Sequence, residues 1–145
     1  MIFLDTMALL YFLGGSRAMP VELREAIIST PVVYVSVASF WEIGIKGSAG
    51  KVDLDGRSIS TPNDVEELLQ SSKAQGFHVL PISEPDVLRA PFLGGPHKDP
   101  FDRMIVAQAL ERNAVLFSND AILDSLSPAL QRRWADPTNR PLSQA

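Results

Sequence analysis

The chain reads as a single α/β domain, with a short central parallel sheet flanked by helices on both faces. Three features carry that expectation. Short apolar, β-branched runs alternate with longer segments of helical character, the pattern of parallel strands joined by helical crossovers. The helical segments open on capping signals, of which Thr61-Pro62-Asn63-Asp64 and Ser83-Glu84-Pro85-Asp86 are the clearest. The length of 145 residues is about one domain's worth, and a hydrophobic fraction of 46% is ordinary for a globular protein. A chain of this size buries roughly 70% of its unfolded surface, so it needs no covalent staples.

Each element follows from local chemistry. Met1 to Leu4 is a short buried strand, with Asp5 at its C-terminal end. Thr6 to Leu13 is a helix that stops at Gly14-Gly15, and Pro20 suits the first position of a second helix reaching about Ser29. Pro31 interrupts, and Val32 to Val35 is a β-branched second strand. Ser36 can cap the next helix, which runs to about Gly47. Lys51 to Arg57 is turn-rich and suits a short hairpin. The Thr61 capping box then opens a helix to about Gln75, which Gly76 ends. Phe77 to Ile82 is a third strand. The Ser83 box opens a short helix, and Pro91 to Pro96 is a loop. Asp99-Pro100-Phe101-Asp102 opens the strongest helix, ending near Asn113. Val115 to Phe117 is a fourth strand, followed by Ser118-Asn119-Asp120, a short helix and a last strand at Arg133 to Ala135. The domain is expected over residues 1–135. Residues 136–145 are polar and Pro-containing and are expected to form a flexible tail.

Composition excludes several functions. With no cysteine, the chain can build no disulfide framework, zinc–thiolate site or iron–sulfur cluster, which fits a cytoplasmic location. Two histidines, His78 and His97, argue against an all-imidazole metal site. Met1 to Leu13 is apolar, but it lacks a basic start and Asp5 interrupts it, so it is not read as a signal peptide. No uninterrupted apolar stretch is long enough to span a membrane. The net charge is −4, whereas chains that hold nucleic acid by charge alone are usually basic. Any nucleic-acid function must therefore rest on local cations and a bound metal.

In parallel α/β sheets, sites form at the C-terminal ends of the strands. Asp5 and the Ser118-Asn119-Asp120 run each follow a short apolar strand. Asp102 lies in the first turn of the helix leading into the last of these strands, and Glu42 lies in the helix after the second. Four acids from distant parts of the chain can therefore face one edge. Crowded carboxylates repel and their pKa values rise unless a cation joins them. Mg²⁺ takes oxygen ligands, and such a site can activate water for in-line displacement at phosphorus. Each acid also has an ordinary reading. Asp5 and Asp99 suit helix caps, and Glu42 suits an i, i+4 ion pair with Lys46. Asp102 suits the helix dipole at N3, and Asp120 suits a turn. Spacing alone does not decide between these readings.

The wording around the acids adds more. Leu4-Asp5-Thr6, Ser39-Phe40-Trp41-Glu42-Ile43-Gly44-Ile45-Lys46, His97-Lys98-Asp99-Pro100-Phe101-Asp102-Arg103 with Ala107-Gln108-Ala109, and Leu116-Phe117-Ser118-Asn119-Asp120 occur in this order. Together these blocks resemble the PIN-domain ribonucleases, and within them the VapC-type toxins of bacterial type II toxin–antitoxin pairs. The resemblance runs from Met1 to about Trp134 and implies a PIN-like fold.

It also implies a metal-dependent endoribonuclease that hydrolyses RNA by metal-activated water, leaving a 5′-phosphate and a 3′-hydroxyl. The implied catalytic acids and ligands for Mg²⁺ or Mn²⁺ are Asp5, Glu42, Asp102 and Asp120, with Asp99 a possible fifth. Thr6, Ser118 and Asn119 would support the site. Lys46, Lys98 and Arg103 are candidates to hold substrate phosphates. His97 is expected to fix its loop, His78 to be structural, and Phe40, Trp41 and Ile45 to be core. The implied partners are RNA and a cognate antitoxin, for which an apolar groove near Tyr11 and the second helix would suit. Homodimers are common in that family.

Competing readings fare worse. A haloacid-dehalogenase-type phosphatase needs an acid where Met7 stands. A response-regulator receiver needs paired acids after the first strand and a lysine after a late one. A non-catalytic PIN-type module that binds RNA or protein is the main alternative, and the complete acid set argues against it.

Overall fold

The computed structural model describes residues 1–134; the expected flexible tail and the end of the expected last strand lie outside the described residues. Five strands form one parallel sheet in the order β5-β2-β1-β6-β7. They are β1 (Ile2–Leu4), β2 (Val33–Ser36), β5 (His78–Leu80), β6 (Val115–Phe117) and β7 (Arg132–Arg133). A separate antiparallel hairpin pairs β3 (Asp53–Leu54) with β4 (Arg57–Ser58).

The sheet sorts its side chains by alternation, because successive residues of a strand point to opposite faces. On one face Ile2, Leu4, Val33, Val35 and Phe117 pack against four helices. These are α1 (Thr6–Leu13), α2 (Val21–Ser29), α3 (Val37–Ser48) and α4 (Pro62–Ala74). On the other face Phe3 and Leu116 pack against Ile105, Val106 and Ala109 of α6 (Pro100–Glu111). Leu123 and Leu126 of a 3₁₀ helix (Ala121–Leu126) complete that layer. A short α5 (Glu84–Arg89) packs beside α6. Phe3, Leu4, Leu116 and Phe117 are fully buried, each contributing about 1.5–3 kcal/mol.

The chain runs β1, β2, β5 in one direction from the centre, then returns to lay β6 and β7 on the other side of β1. The switch point lies between β1 and β6. There the crossovers leave in opposite directions and open a crevice at the strands' C-terminal ends. Asp5 follows β1 and Ser118 follows β6, so both acidic runs emerge at that crevice.

Several elements differ from the sequence expectation. Pro20 is the N-cap of α2 rather than its first helical residue; its carbonyl accepts from the N–H groups of Leu23 and Arg24. The third strand is confined to His78–Leu80, and the last strand is Arg132–Arg133. The expected loop at Pro91 begins inside a 3₁₀ turn (Ala90–Phe92). Trp41 and Ile45 are not core. Helix α3 turns Phe40, Ile43 and Gly47 inward, and the 100° step per residue leaves Val37, Trp41 and Ile45 on the outer face. Trp41 is 62% exposed and lies edge-on to Phe101. The ring of Tyr11 is packed against Trp134, and its carbonyl accepts from Arg24 of α2. Among the described residues, no helix is long and apolar enough to cross a membrane.

Candidate active site

A cleft of about 520 Å³ opens at the switch point, and Asp5, Glu42, Asp99, Asp102, Asn119 and Asp120 all line it. Each acid is placed by a local device. Asp5 is the N-cap of α1, its Oδ1 accepting from the Ala8 N–H at 2.8 Å. Asp99 caps α6, its Oδ1 accepting from the N–H groups of Phe101 and Asp102 at 2.8 and 3.0 Å. Asp120 caps the 3₁₀ helix through the Ile122 N–H. Cap and cleft are thus compatible, because a carboxylate has two oxygens and the cap engages only one. Glu42 sits in the second turn of α3, 4% exposed, and accepts from Lys46 Nζ at 2.8 Å. The expected i, i+4 ion pair therefore exists, and it lies inside the cleft.

The electrostatics are those of a crowded acidic site. The Asp5 carboxyl is pushed up to about 6. Burial is the largest cause, and the charges of Asp102 and Glu42 add to it; the Ser118 hydroxyl and the Ala8 N–H pull the other way. Asp102 is also raised, first by burial and then by Asp99 and Glu42, against the hydrogen bond from His97. Lys46 is raised by its hydrogen bond to Glu42 and by the charges of Asp99 and Asp102. Two acids held above the ordinary carboxylate range, with oxygen donors converging, fit a hard divalent cation.

The supporting residues divide. Thr6 lines the cleft, but its hydroxyl donates to Ser39 Oγ at 3.0 Å. Ser118 is fully buried behind Asp5, and its Oγ accepts from the Asp120 N–H. Asn119 is exposed in the cleft. Of the three phosphate candidates, only Lys46 lines it. Lys98 lines a separate groove with Val87, Pro91 and Met104. Arg103 does not line the cleft either; its guanidinium donates to the carbonyls of Ala90, Leu93, Gly94, Gly95 and His97. Those contacts engage its nitrogens and make it a clamp on the preceding loop. Lys51 and Asp53, beside and within the β3–β4 hairpin, also line the cleft and were not anticipated. Lys51 follows directly on α3, its N–H donating to the Lys46 carbonyl at 2.9 Å, and Asp53 comes there with the hairpin. His97 stands on the loop before α6, and its Nε2 lies 2.7 Å from Asp102 Oδ2.

The same geometry can be set beside known proteins. The family model described as PIN domain matches residues 2–127. A search of curated proteins finds no match. Among solved structures, VapBC2 from Rickettsia felis bound to a DNA fragment from its promoter superposes with a TM-score of 0.65 at 16% identity. That match covers 91% of this chain and 97% of the other. FitAcB from Neisseria gonorrhoeae gives 0.55 at 18%, covering 91% and 96%. VapBC-1 from nontypeable Haemophilus influenzae gives 0.55 at 22%, again covering 91% and 96%. At these identities the likeness is one of fold. The family model spans all six acids that line the cleft, and by that match the chain belongs to the PIN-domain family.

Proposed function

We propose that this chain is a metal-dependent endoribonuclease and the toxin of a toxin–antitoxin pair, with Asp5, Glu42, Asp102 and Asp120 as its catalytic acids. The observation that carries the reading is the convergence of these four, with Asp99, on one cleft at the switch point, where Asp5 is held at about 6. So many carboxylates in one cleft are poorly accommodated without a cation, and phosphodiester hydrolysis is the chemistry that such a cation supports. When bound, Mg²⁺ or Mn²⁺ would activate a water for in-line attack and offset charge on the leaving oxygen.

The chain's own residues supply position. Asp5, Glu42, Asp102 and Asp120 would hold the cation, with Asp99 offering its uncapped oxygen. Ser118 and Ala8 orient Asp5 from behind. Lys46, half exposed beside Glu42, is placed to meet a substrate phosphate, and Lys51, whose N–H donates to the Lys46 carbonyl, lines the same cleft and can do the same. With a net charge of −4, these two cations and the metal would have to attract the RNA. The antitoxin half of the reading is supported by structural neighbours that are themselves toxin–antitoxin assemblies, among them one from Klebsiella pneumoniae.

The test is incubation of the purified chain, free of any antitoxin, with total bacterial RNA. Mg²⁺, Mn²⁺ and EDTA arms are run beside Asp102→Asn. Discrete fragments with 5′-phosphate ends, lost in EDTA and reduced at least about a hundredfold in the variant, are expected, as for removal of a group that acts on the transition state. Cleavage that survives EDTA and leaves cyclic phosphate ends would overturn the mechanism. No cleavage with either metal would favour a non-catalytic binding module.

A further inference from the structure

One residue outside the acidic set deepens the metal-dependent reading and rests on it. One ring nitrogen of His97 and one carboxylate oxygen from each of Asp102 and Asp120 all lie within 4.8 Å of one another. The imidazole is free for a ligand role only if other contacts hold the loop that carries it. Here Arg103 performs that task, with Nε donating to the His97 carbonyl at 2.7 Å and Nη1 to that of Leu93 at 2.8 Å. From the other side, the Gly94 N–H donates to the Leu126 carbonyl at 2.9 Å. Gly95, at φ +74°, lies so close to Ser125 that a Cβ would come 2.7 Å from its carbonyl oxygen. The loop is therefore held without the imidazole, which is 20% exposed and directed at Asp102.

We propose that His97 is a nitrogen ligand to the cation held by Asp102 and Asp120, so that the outer part of the cleft prefers Mn²⁺ to Mg²⁺. Asp5 and Glu42, more deeply buried, offer only oxygen. Both ions favour oxygen donors, but Mg²⁺ is the harder and dehydrates reluctantly, whereas Mn²⁺, the first of the divalent transition series, accepts an imidazole nitrogen more readily. Asp102 belongs to both groups: it touches His97 at the rim, and its charge reaches Asp5 within. The Arg103 clamp acts as a positioning device, because it fixes the backbone from which the imidazole reaches the acids.

The experiment is pulsed EPR of Mn²⁺ added to the full chain, which detects a coordinated imidazole nitrogen directly. The chain has two histidines, so His97→Gln and His78→Gln assign the signal. The expected result is a nitrogen coupling in the wild type that persists in His78→Gln and vanishes in His97→Gln. By calorimetric titration, His97→Gln should weaken Mn²⁺ binding about tenfold or more, with a change in Mg²⁺ binding below about threefold. Bound Mn²⁺ with no nitrogen coupling in the wild type would overturn the role of His97 and leave the nuclease reading standing. A coupling that survives in His97→Gln would do the same. Mn²⁺ that does not bind the wild-type chain at all would overturn both.

Discussion

At Asp5, folding and charge pull in opposite directions. The residue caps α1, which favours a carboxylate or an amide equally well, yet it is only 7% exposed among other acids. Its folded pKa of about 6 stands above the ordinary 3.8. A raised acid contributes stability that is fully present below about pH 4 and is lost as pH rises through about 6. In EDTA, Asp5→Asn should therefore be more stable than the wild type at pH 8, by about 2–3 kcal/mol, and the two should converge near pH 4. Urea melts at both values check this, and a variant less stable at pH 8 would show that the acid is not destabilising there. With Mn²⁺ present the order should reverse, because the variant loses a ligand. The candidacy of Asp5 was legible from its place after an apolar strand. The role of Arg103 was not, since a cation beside an acidic block reads as a phosphate contact until the loop that it clamps has folded over it.

Local signals predicted most elements well, and the misses share a cause. Caps at Ser36, Thr61 and Ser83 act within one turn of chain, so residue types alone mark them. The inward face of α3 is not a local property. Phe40, Trp41, Ile43 and Ile45 are all apolar, and only the packing partner decides that Phe40 and Ile43 are covered while Trp41 and Ile45 remain out. Gly47 shows the same dependence with a sign. Helix propensity alone favours alanine there by about 1 kcal/mol. Yet an added Cβ would lie 2.3 Å from the Ile59 carbonyl oxygen, a backbone atom that cannot rotate away. Gly47→Ala should therefore destabilise by about 1–3 kcal/mol, measured by denaturant midpoint. A stabilised variant would mean that α3 and the Ile59 segment part easily. Because α3 carries Glu42 and Lys46, the variant should also lower cation affinity.

For the molecule as a whole, the metal reading predicts linkage. A cation that binds only the folded state at about a hundred times its Kd adds about 2.7 kcal/mol, or roughly 6–10 °C in Tm for a domain of this size. Thermal melts with Mn²⁺ should show such a rise, EDTA should reverse it, and the rise should shrink in Asp102→Asn. An unchanged Tm at saturating Mn²⁺ would count against the site. Residue types alone specify the alternation of strands and helices, the capped helix starts and the identity of the acids, because these depend on residues within a turn or a strand of one another. Packing of the whole chain decided that the strand order reverses between β1 and β6 and so opens a cleft. Only it decided that Asp53 lines that cleft and that Lys98 lies outside it. Those outcomes depend on crossovers and loop docking between segments far apart in the chain, where the free energy lies in packing that no short stretch of residues contains.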